Sequence, residues 1–281
     1  MHSKLILVEG LPGSGKSTFS YRIAKHLKEQ GIQAKCYIEG YAHPADFAWS
    51  AYLDAETYQS LQQEFPQYID LMHEHAMASG DHVVIPYLDL ELEKEGRALH
   101  DKLAQHEIFS AKYSTEAFLD LHLDRWREFC QKAMDESTVH VFECAYLQNH
   151  INEMMLYHDT PVEAMNDYFR RLINTVKELN PRLIYLGQQD VDTNIRWIAK
   201  RRVSDDPDSP DWIDRVADYF ADSPYGKRHG IKDIEGVIDY FAKRQENELY
   251  VLKHLPIQSS VMYKNDDNWD QFLGKVIAEL D

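Results

Sequence analysis

A run of glycines followed by a lysine and two hydroxyl residues lies near the start of the chain: Gly10, Leu11, Pro12, Gly13, Ser14, Gly15, Lys16, Ser17 and Thr18. Glycines let backbone N–H groups converge on phosphate oxygens because no Cβ stands between them. A lysine in this place reaches the β- and γ-phosphates of a nucleotide, and the Ser17 hydroxyl is placed to bind Mg²⁺. The spacing satisfies the phosphate-loop pattern at every fixed position, and we expect ATP and Mg²⁺ as the cofactors.

The residues on either side of the glycine run supply the structural context that this motif needs. Residues 5–8 form a short apolar run typical of a buried parallel strand. An amphipathic helix is predicted after the loop, with Phe19, Ile23, Ala24 and Leu27 on one face. The amino end of such a helix carries about half a positive charge, which favours a bound anion. A glycine-rich turn that binds nothing is the plainer alternative, and the flanking strand and helix disfavour it.

Two acidic residues follow predicted strands further along the chain. Glu39 comes after a strand predicted over residues 32–38, at the end where open α/β sheets bind ligands, and is a candidate general base. Glu143 ends a strand predicted over residues 138–143 and fits a carboxylate that orients Mg²⁺ or its water. A carboxylate without a role is the alternative in each case. It is slightly favoured for Glu39 and disfavoured for Glu143.

A polar run follows Glu143 and consists of Tyr146, Gln148, Asn149, Asn152 and Glu153. These donors and acceptors suit the polar edge of a substrate, and helix capping explains them equally well. His73 and His75 occur elsewhere, on either side of Glu74, where helical geometry points neighbouring side chains apart. A metal site is not expected at those two histidines.

Four cations occur within seven residues: Arg196, Lys200, Arg201 and Arg202. A helix is predicted from about Asp192, on which Arg196 and Lys200 share a face because they are four residues apart. We interpret Arg196, Lys200 and Arg202 as catalytic cations on a lid covering residues 192–230, with Arg201 pointing elsewhere. A solvated basic face is the alternative.

Composition limits the classes of partner. The chain has 281 residues and a net charge of −17, which argues against a nucleic-acid polymer or an anionic membrane and favours a small-molecule substrate. The three cysteines, Cys36, Cys130 and Cys144, lack metal-ligand spacing and are interpreted as reduced thiols in a cytoplasmic protein. No apolar run is long enough to span a membrane, and no signal peptide is recognised at the amino terminus.

Strand and helix patterns alternate along the chain, which predicts an α/β fold with a parallel sheet covered by helices on both faces. Five core strands are expected, near Leu5, Ala34, Val139, Leu183 and Ile257. Residues 41–79 are predicted to be mostly helical, and a short strand is predicted within residues 82–87. The whole chain, residues 1–281, is predicted to form one P-loop domain with a helical lid, a helical insertion at 91–136 and a last helix over residues 268–280.

The order of these parts resembles the deoxynucleoside kinase and thymidylate kinase group of P-loop kinases. Glu39 lies where the deoxynucleoside kinases have their catalytic base, and Glu143 lies where those families place an acid followed by arginine. Residues 183–202 are similar to their strand and lid helix. Cys144 departs from the pattern, because it stands where those kinases carry the arginine. The resemblance implies transfer of the γ-phosphoryl group of ATP to a nucleoside or nucleotide, and a possible homodimer.

Two further readings come from outside that group. A sugar, an antibiotic or another hydroxyl metabolite can replace the nucleoside as acceptor. A nucleotide-hydrolysing switch protein would transfer the phosphoryl group to water and change shape. The chain lacks a guanine-reading Asn-Lys-x-Asp stretch, which weakens a GTPase reading, and the complete Gly-Lys-Ser loop favours a triphosphate over a sulfonucleotide.

The phosphate loop makes a direct prediction for Lys16. Lys16→Ala removes a charge directed at the β/γ-phosphates and should cost several kcal/mol of transition-state stabilisation. The measurement is ATP binding and turnover, with Lys28→Ala on the same predicted helix as the matched control. A folded Lys16→Ala protein with wild-type turnover would show that the loop is not the nucleotide site.

Overall fold

The computed structural model describes residues 3–92, 94–206, 209–263 and 269–278. These residues contain eight strands: β1 Leu5–Gly10, β2 Ala34–Tyr37, β3 Ser50–Leu53, β4 Met77–Ser79, β5 His82–Pro86, β6 Val139–Glu143, β7 Arg182–Gly187 and β8 Gln258–Tyr263. They also contain twelve α-helices: α1 Lys16–Glu29, α2 Ala55–Glu64, α3 Ile69–His75, α4 Arg97–Ala104, α5 Thr115–Asp135, α6 Gln148–Leu156, α7 Val162–Asn174, α8 Val191–Ala199, α9 Trp212–Asp222, α10 Pro224–His229, α11 Ile234–His254 and α12 Trp269–Ala278.

The central sheet has five strands in the order β2-β6-β1-β7-β8, and every neighbouring pair is parallel. All five predicted core strands are therefore confirmed, as is the α/β class. The register places Val8 of β1 opposite Glu143 of β6 and opposite Ile184 of β7. Because the strands run the same way, their carboxyl ends, including the loop after β1, share one edge of the sheet.

Alternate residues of β1 pack on opposite faces of the sheet, as the period of a strand requires. Leu5 and Leu7 belong to a large core with α5, α6, α7 and α11. Ile6 and Val8 belong to a smaller core with α1 and α12, in which the Phe19 and Phe272 rings meet edge to face at 4.8 Å. Helices therefore cover both faces of the sheet, as predicted.

A second, antiparallel sheet of three strands, in the order β3-β5-β4, lies in the first half of the chain and packs with α2, α3 and α4 in its own hydrophobic cluster. The strand predicted within residues 82–87 is confirmed as β5. The mostly helical prediction for residues 41–79 was wrong in part, because β3 and β4 lie there. Their pairing with β5 overrides the local pattern, since segments of three and four residues carry little periodicity of their own.

The structure shows which helices two of the predicted regions contain. Residues 91–136 contain α4 and α5, and α5 buries Phe118, Trp126 and Phe129 in the large core beneath the central sheet. The interpretation of 91–136 as an insertion, and of 1–281 as a single domain, stays a prediction. The helix predicted over 268–280 is observed as α12, and residues 268, 279 and 280 lie outside the described part of the chain.

Among the described helices, none combines the length and the apolar character needed to cross a bilayer.

The packing of α1 predicts a strong contrast between two aromatic residues on the same helix. Phe19 is fully buried, whereas Tyr21 is 69% exposed. Phe19→Ala should lower the free energy of unfolding by about 3–5 kcal/mol, because the residual cavity cannot collapse fully. Tyr21→Ala should change it by less than about 0.5 kcal/mol. Urea unfolding of both variants measures the difference, and equal losses would contradict the position of α1.

Candidate active site

The glycines of the loop occupy conformations that other residues rarely adopt. Gly10, Gly13 and Gly15 have φ angles of 147°, 78° and 96°. A Cβ on Gly10 would lie 2.6 Å from the carbonyl oxygen of Leu186, and a Cβ on Gly13 would lie 2.6 Å from Cδ1 of Ile198. The loop is therefore built for close backbone approach, and α1 begins immediately after it at Lys16.

Lys16 is 6% exposed, and its Nζ donates a hydrogen bond to the carbonyl oxygen of Leu11 at 3.0 Å. Burial by itself would lower the pKa of Lys16, but nearby acidic groups, among them Glu143 and Glu39, outweigh it and leave the pKa raised. The side chain is thus a fixed cation folded over its own loop. This is the charge that the sequence assigned to the β- and γ-phosphates.

Glu143 and Ser17, both predicted as Mg²⁺ ligands, lie together although 126 positions separate them. The Ser17 hydroxyl donates to Oε1 of Glu143 at 3.1 Å. The backbone N–H of Glu39 donates to Oε2 of Glu143 at 3.1 Å, and the Cys144 thiol donates to Oε1 at 3.1 Å. Hydroxyl and carboxylate oxygens are the ligands that Mg²⁺ prefers, so this pair fits the predicted cation.

Glu39 lies beside Glu143, and the structure fixes both of its carboxylate oxygens. Oε1 accepts a hydrogen bond from the indole N–H of Trp49 at 3.3 Å, and Oε2 accepts one from the side-chain amide of Gln148 at 2.8 Å. Trp49 is 44% exposed and has a left-handed φ of 56°, which is uncommon for an aromatic residue. Strained residues of this kind concentrate at functional sites. Glu39 is therefore a positioned carboxylate at the rim of the site.

Glu9 was not singled out from the sequence and proves central to the site. Its carboxylate is fully buried at the end of β1 and accepts hydrogen bonds from the backbone N–H groups of Tyr146 at 2.8 Å and Gln148 at 3.3 Å. Burial raises the pKa of Glu9 to about 8, although these backbone groups oppose the shift. Glu9 thus fixes the start of α6, from which Gln148 reaches Glu39. The sequence contained one signal for Glu9, because it is an acidic residue that directly follows the apolar residues of a predicted buried strand.

A buried ion pair supports Gln148 from the other side. Arg244 and Glu248, 1% and 0% exposed, pair on α11 at 2.7 Å. Arg244 also donates to the side-chain oxygens of Asn152 at 3.2 Å and Gln148 at 3.5 Å, and the hydroxyl of Tyr185 donates to Glu248. Each buried charge is compensated by a partner and by further hydrogen bonds, as buried ions require.

The residues of the predicted polar run lie in different parts of the structure. Gln148 contacts Glu39, as a residue of the site should. Glu153 is buried elsewhere, where its carboxylate accepts hydrogen bonds from the backbone N–H groups of Ser110 and Ala111, both at 2.7 Å. Glu153 therefore holds a loop in place.

Helix α8 packs directly on the phosphate loop through residues that the sequence did not indicate. The Asn194 amide donates to the carbonyl oxygen of Pro12 at 2.9 Å, and Ile198, one turn later, packs on Gly13. Arg196 lies two residues from Asn194, a rotation of about 200° around the helix. The face of α8 that meets the loop is therefore not the face that carries Arg196.

Three of the four predicted lid cations contact carboxylates or aromatic rings of the chain itself. Arg196 pairs with Asp192 at 2.9 Å and with both carboxylate oxygens of Glu235 at 2.7 Å. Arg201 stacks on Trp197 with 4.2 Å between the guanidinium and the ring centre, and Arg202 lies 5.2 Å from the ring centre of Trp212. Lys200 is the C-cap residue that directly follows α8. The action of these cations on phosphate, including that of Lys200, stays a prediction.

The fold and the loop together define the class of protein. Numbered by their order along the chain, the five parallel strands lie in the order 2-3-1-4-5, with the glycine loop after the first strand and Glu143 at the end of the third. This is an α/β protein with the P-loop NTPase fold.

The comparisons with known proteins are distant. The chain is similar in three dimensions to a solved thymidylate kinase from Ehrlichia chaffeensis, with 10% sequence identity, a TM-score of 0.43 and coverage of 99% of each chain. The sequence matches no family model and no curated protein. A likeness this distant carries no argument about activity, so the resemblance to a particular kinase group stays a prediction.

The burial of Glu9 predicts a pH dependence of stability. A carboxyl group with an ordinary pKa of 4.5 unfolded and about 8 folded binds its proton more tightly in the folded state. Its contribution to stability therefore falls as pH rises from about 4.5 to about 8, with a slope of up to about 1.4 kcal/mol per pH unit. Glu9→Gln should remove the part of the slope that Glu9 contributes, while the exposed change Glu29→Gln should keep it. Urea unfolding across that range measures it, and equal slopes in all three proteins would exclude a protonated Glu9.

Proposed function

We propose that the protein is an ATP- and Mg²⁺-dependent kinase that transfers the γ-phosphoryl group to a hydroxyl of a small molecule, with a nucleoside as the best-matched acceptor. One observation carries the proposal. The phosphate loop is joined through Ser17 to Glu143, and Glu143 is joined to Glu39, a second carboxylate that the structure holds in place separately. The first carboxylate would serve the metal, and the second would orient the attacking nucleophile, for which a hydroxyl of an organic acceptor is proposed here.

The donor side of this site follows from the loop. The backbone N–H groups of the glycine loop and the ammonium of Lys16 would bind the phosphates of ATP, with α1 pointing its positive end at them. Ser17 and Glu143 would hold Mg²⁺, which neutralises charge on the phosphate oxygens when bound. The hydrogen bond between Ser17 and Glu143 keeps both oxygens in place for this task.

The acceptor side is defined by Glu39 and its partners. Glu39 would accept the proton of the attacking hydroxyl, and the hydrogen bonds from Trp49 and Gln148 orient its carboxylate for that role. The half-exposed indole of Trp49 lies against Glu39 and offers an aromatic surface for a flat ring. Glu39 would serve any hydroxyl, and the aromatic surface of Trp49 is the feature that favours a nucleoside over an acyclic or sugar acceptor.

The cations of α8 would complete the site in the reactive conformation. Arg196 is held by exposed carboxylates, and exposed ion pairs are worth only about 0–1 kcal/mol, so a phosphate group can replace those partners. Because α8 contacts Pro12 and Gly13 through its other face, the Arg196 side chain would have to swing around the helix to reach a phosphate bound at the loop. Arg196, Lys200 and Arg202 are the residues proposed for this role.

Two substitutions separate the proposed roles of the acids. Glu39→Gln should lower kcat by about 10²–10⁴-fold with little change in ATP binding, because it removes a base that acts on the acceptor. Glu143→Gln should weaken the dependence on Mg²⁺, because it removes a charge at the metal. Glu29→Gln, on the surface of α1, is the control and should leave both properties unchanged.

The assay that supports this test is a screen of nucleosides and other hydroxyl metabolites with γ-labelled ATP. Transfer of label to a nucleoside that depends on Glu39 is the expected result. Transfer to a nucleotide phosphate that does not depend on Glu39 would identify a phosphate acceptor, which needs no strong base. Release of inorganic phosphate at the same rate with and without every acceptor would identify a nucleotide-hydrolysing protein and overturn the proposal.

A further inference from the structure

A cluster of one carboxylate and two imidazoles lies inside the protein, outside the phosphate loop. Asp46, His122 and His150 are 4%, 0% and 0% exposed. They come from three different parts of the chain, the segment between β2 and β3, helix α5 and helix α6. One ligand atom from each residue lies within 4.8 Å of the other two.

The hydrogen bonds of the two histidines show which of their ring nitrogens have no partner. Nδ1 of His122 contacts the carbonyl oxygen of Phe118 at 2.9 Å. A carbonyl can only accept, so Nδ1 carries the proton and Nε2 presents a lone pair. Within the described residues, Nε2 of His122 and Nε2 of His150 have no hydrogen-bond partner. A fully buried lone pair without a donor is costly, and a bound cation removes that cost.

The partners that surround the cluster match those of metal ligands. Histidines that bind metals usually donate their second ring nitrogen to a carbonyl or another acceptor, as His122 does. Nδ1 of His150 lies 2.6 Å from the hydroxyl oxygen of Tyr168, which accepts a hydrogen bond from this ring when Nδ1 carries the proton. Oδ1 of Asp46 accepts the backbone N–H groups of Phe47 at 2.8 Å and Ala48 at 3.3 Å, which orients the carboxylate.

We propose that Asp46, His122 and His150 form a buried binding site for a divalent transition-metal ion, with Zn²⁺ as the best match. Two imidazoles and a carboxylate suit Zn²⁺, whose bonds of about 2.0–2.2 Å bring ligand atoms within about 3–4 Å of one another. Small side-chain rotations would close the present separations to that range. A water molecule or another group would supply the fourth ligand.

The site would have a structural role beside the candidate active site. Asp46 lies in the segment that runs from Glu39 to Trp49, and His150 lies on α6, which begins at Gln148. A metal ion would therefore link the two chain segments that supply the hydrogen bonds to Glu39. The proposal of this metal site does not depend on the proposed kinase activity, because it is based only on the geometry of Asp46, His122 and His150.

Two neighbouring groups, the Arg125 side chain and the carbonyl of Ala145, disfavour metal binding. They favour an arrangement of the cluster in which no metal is bound. The Arg125 guanidinium lies near Asp46, and its hydrogen bonds go to the carbonyl oxygens of His43 and Ala78, at 3.1 Å each. The carbonyl of Ala145 lies near the His150 ring. If His150 instead carries its proton on Nε2 toward Ala145, the cluster holds a water molecule or stays dry, and no metal binds.

The test is the metal content of the full chain, produced in medium supplemented with Zn²⁺ so that the ion is present during folding. We expect about one Zn²⁺ per chain in the purified wild type and a loss of at least about tenfold in His122→Asn and in His150→Asn. His140→Asn, a buried histidine outside the cluster, is the matched control and should retain the metal. Glu143→Gln should also retain it, because Glu143 belongs to a different site.

Co²⁺ in place of Zn²⁺ gives a measurement on the wild type that does not depend on the folding of any variant. Bound Co²⁺ should show the visible absorption of a four-coordinate nitrogen and oxygen site. Wild-type protein without metal and without that absorption would overturn the proposal, as would metal that persists in His122→Asn and disappears in Glu143→Gln. Neither result depends on whether a phosphoryl acceptor has been found.

Discussion

The parallel register of the central sheet is the constraint on which the candidate site depends. Tyr37 at the end of β2 lies opposite Phe142, and Val8 near the end of β1 lies opposite Glu143. Glu39 therefore comes two residues after β2 at the point where Glu143 ends β6, and the phosphate loop begins alongside both. A shift of one residue in either pairing would turn these side chains to the other face of the sheet and separate the two carboxylates.

The candidate site also depends on a buried layer of polar residues that holds α6 in place. Glu9 fixes the start of α6 through two backbone N–H groups, and Arg244 contacts Gln148 and Asn152 from α11. Removing one partner of a buried pair such as Arg244 and Glu248 costs about 3–5 kcal/mol, because a charge is left without compensation. The orientation of Glu39 is therefore coupled to the packing of α6 against α11, far along the sequence from Glu39 itself.

The predicted lid region combines a buried contact with exposed ion pairs. Asn194 and Ile198 hold α8 against the phosphate loop, whereas Arg196 is paired at the surface with Asp192 and Glu235. Surface pairs of this kind are weak and are screened by salt, so they would be exchanged more readily than the contact between α8 and the loop. In a chain with a net charge of −17, such local pairing of surface cations with carboxylates is expected.

The sequence by itself determined the phosphate loop, the five core strands and the positions of Ser17, Glu39 and Glu143, because these features are encoded locally by glycine spacing, apolar runs and strand ends. It misjudged residues 41–79, where short strands form only by pairing with β5. Tertiary structure alone decided which side chains meet over long separations: Gln148 with Glu39, Arg244 with Gln148, and His122 with His150 and Asp46. It also decided that Asn194 and Ile198, and not Arg196, face the loop. Periodicity shows which residues share a helix face, but packing against the rest of the chain determines what that face contacts.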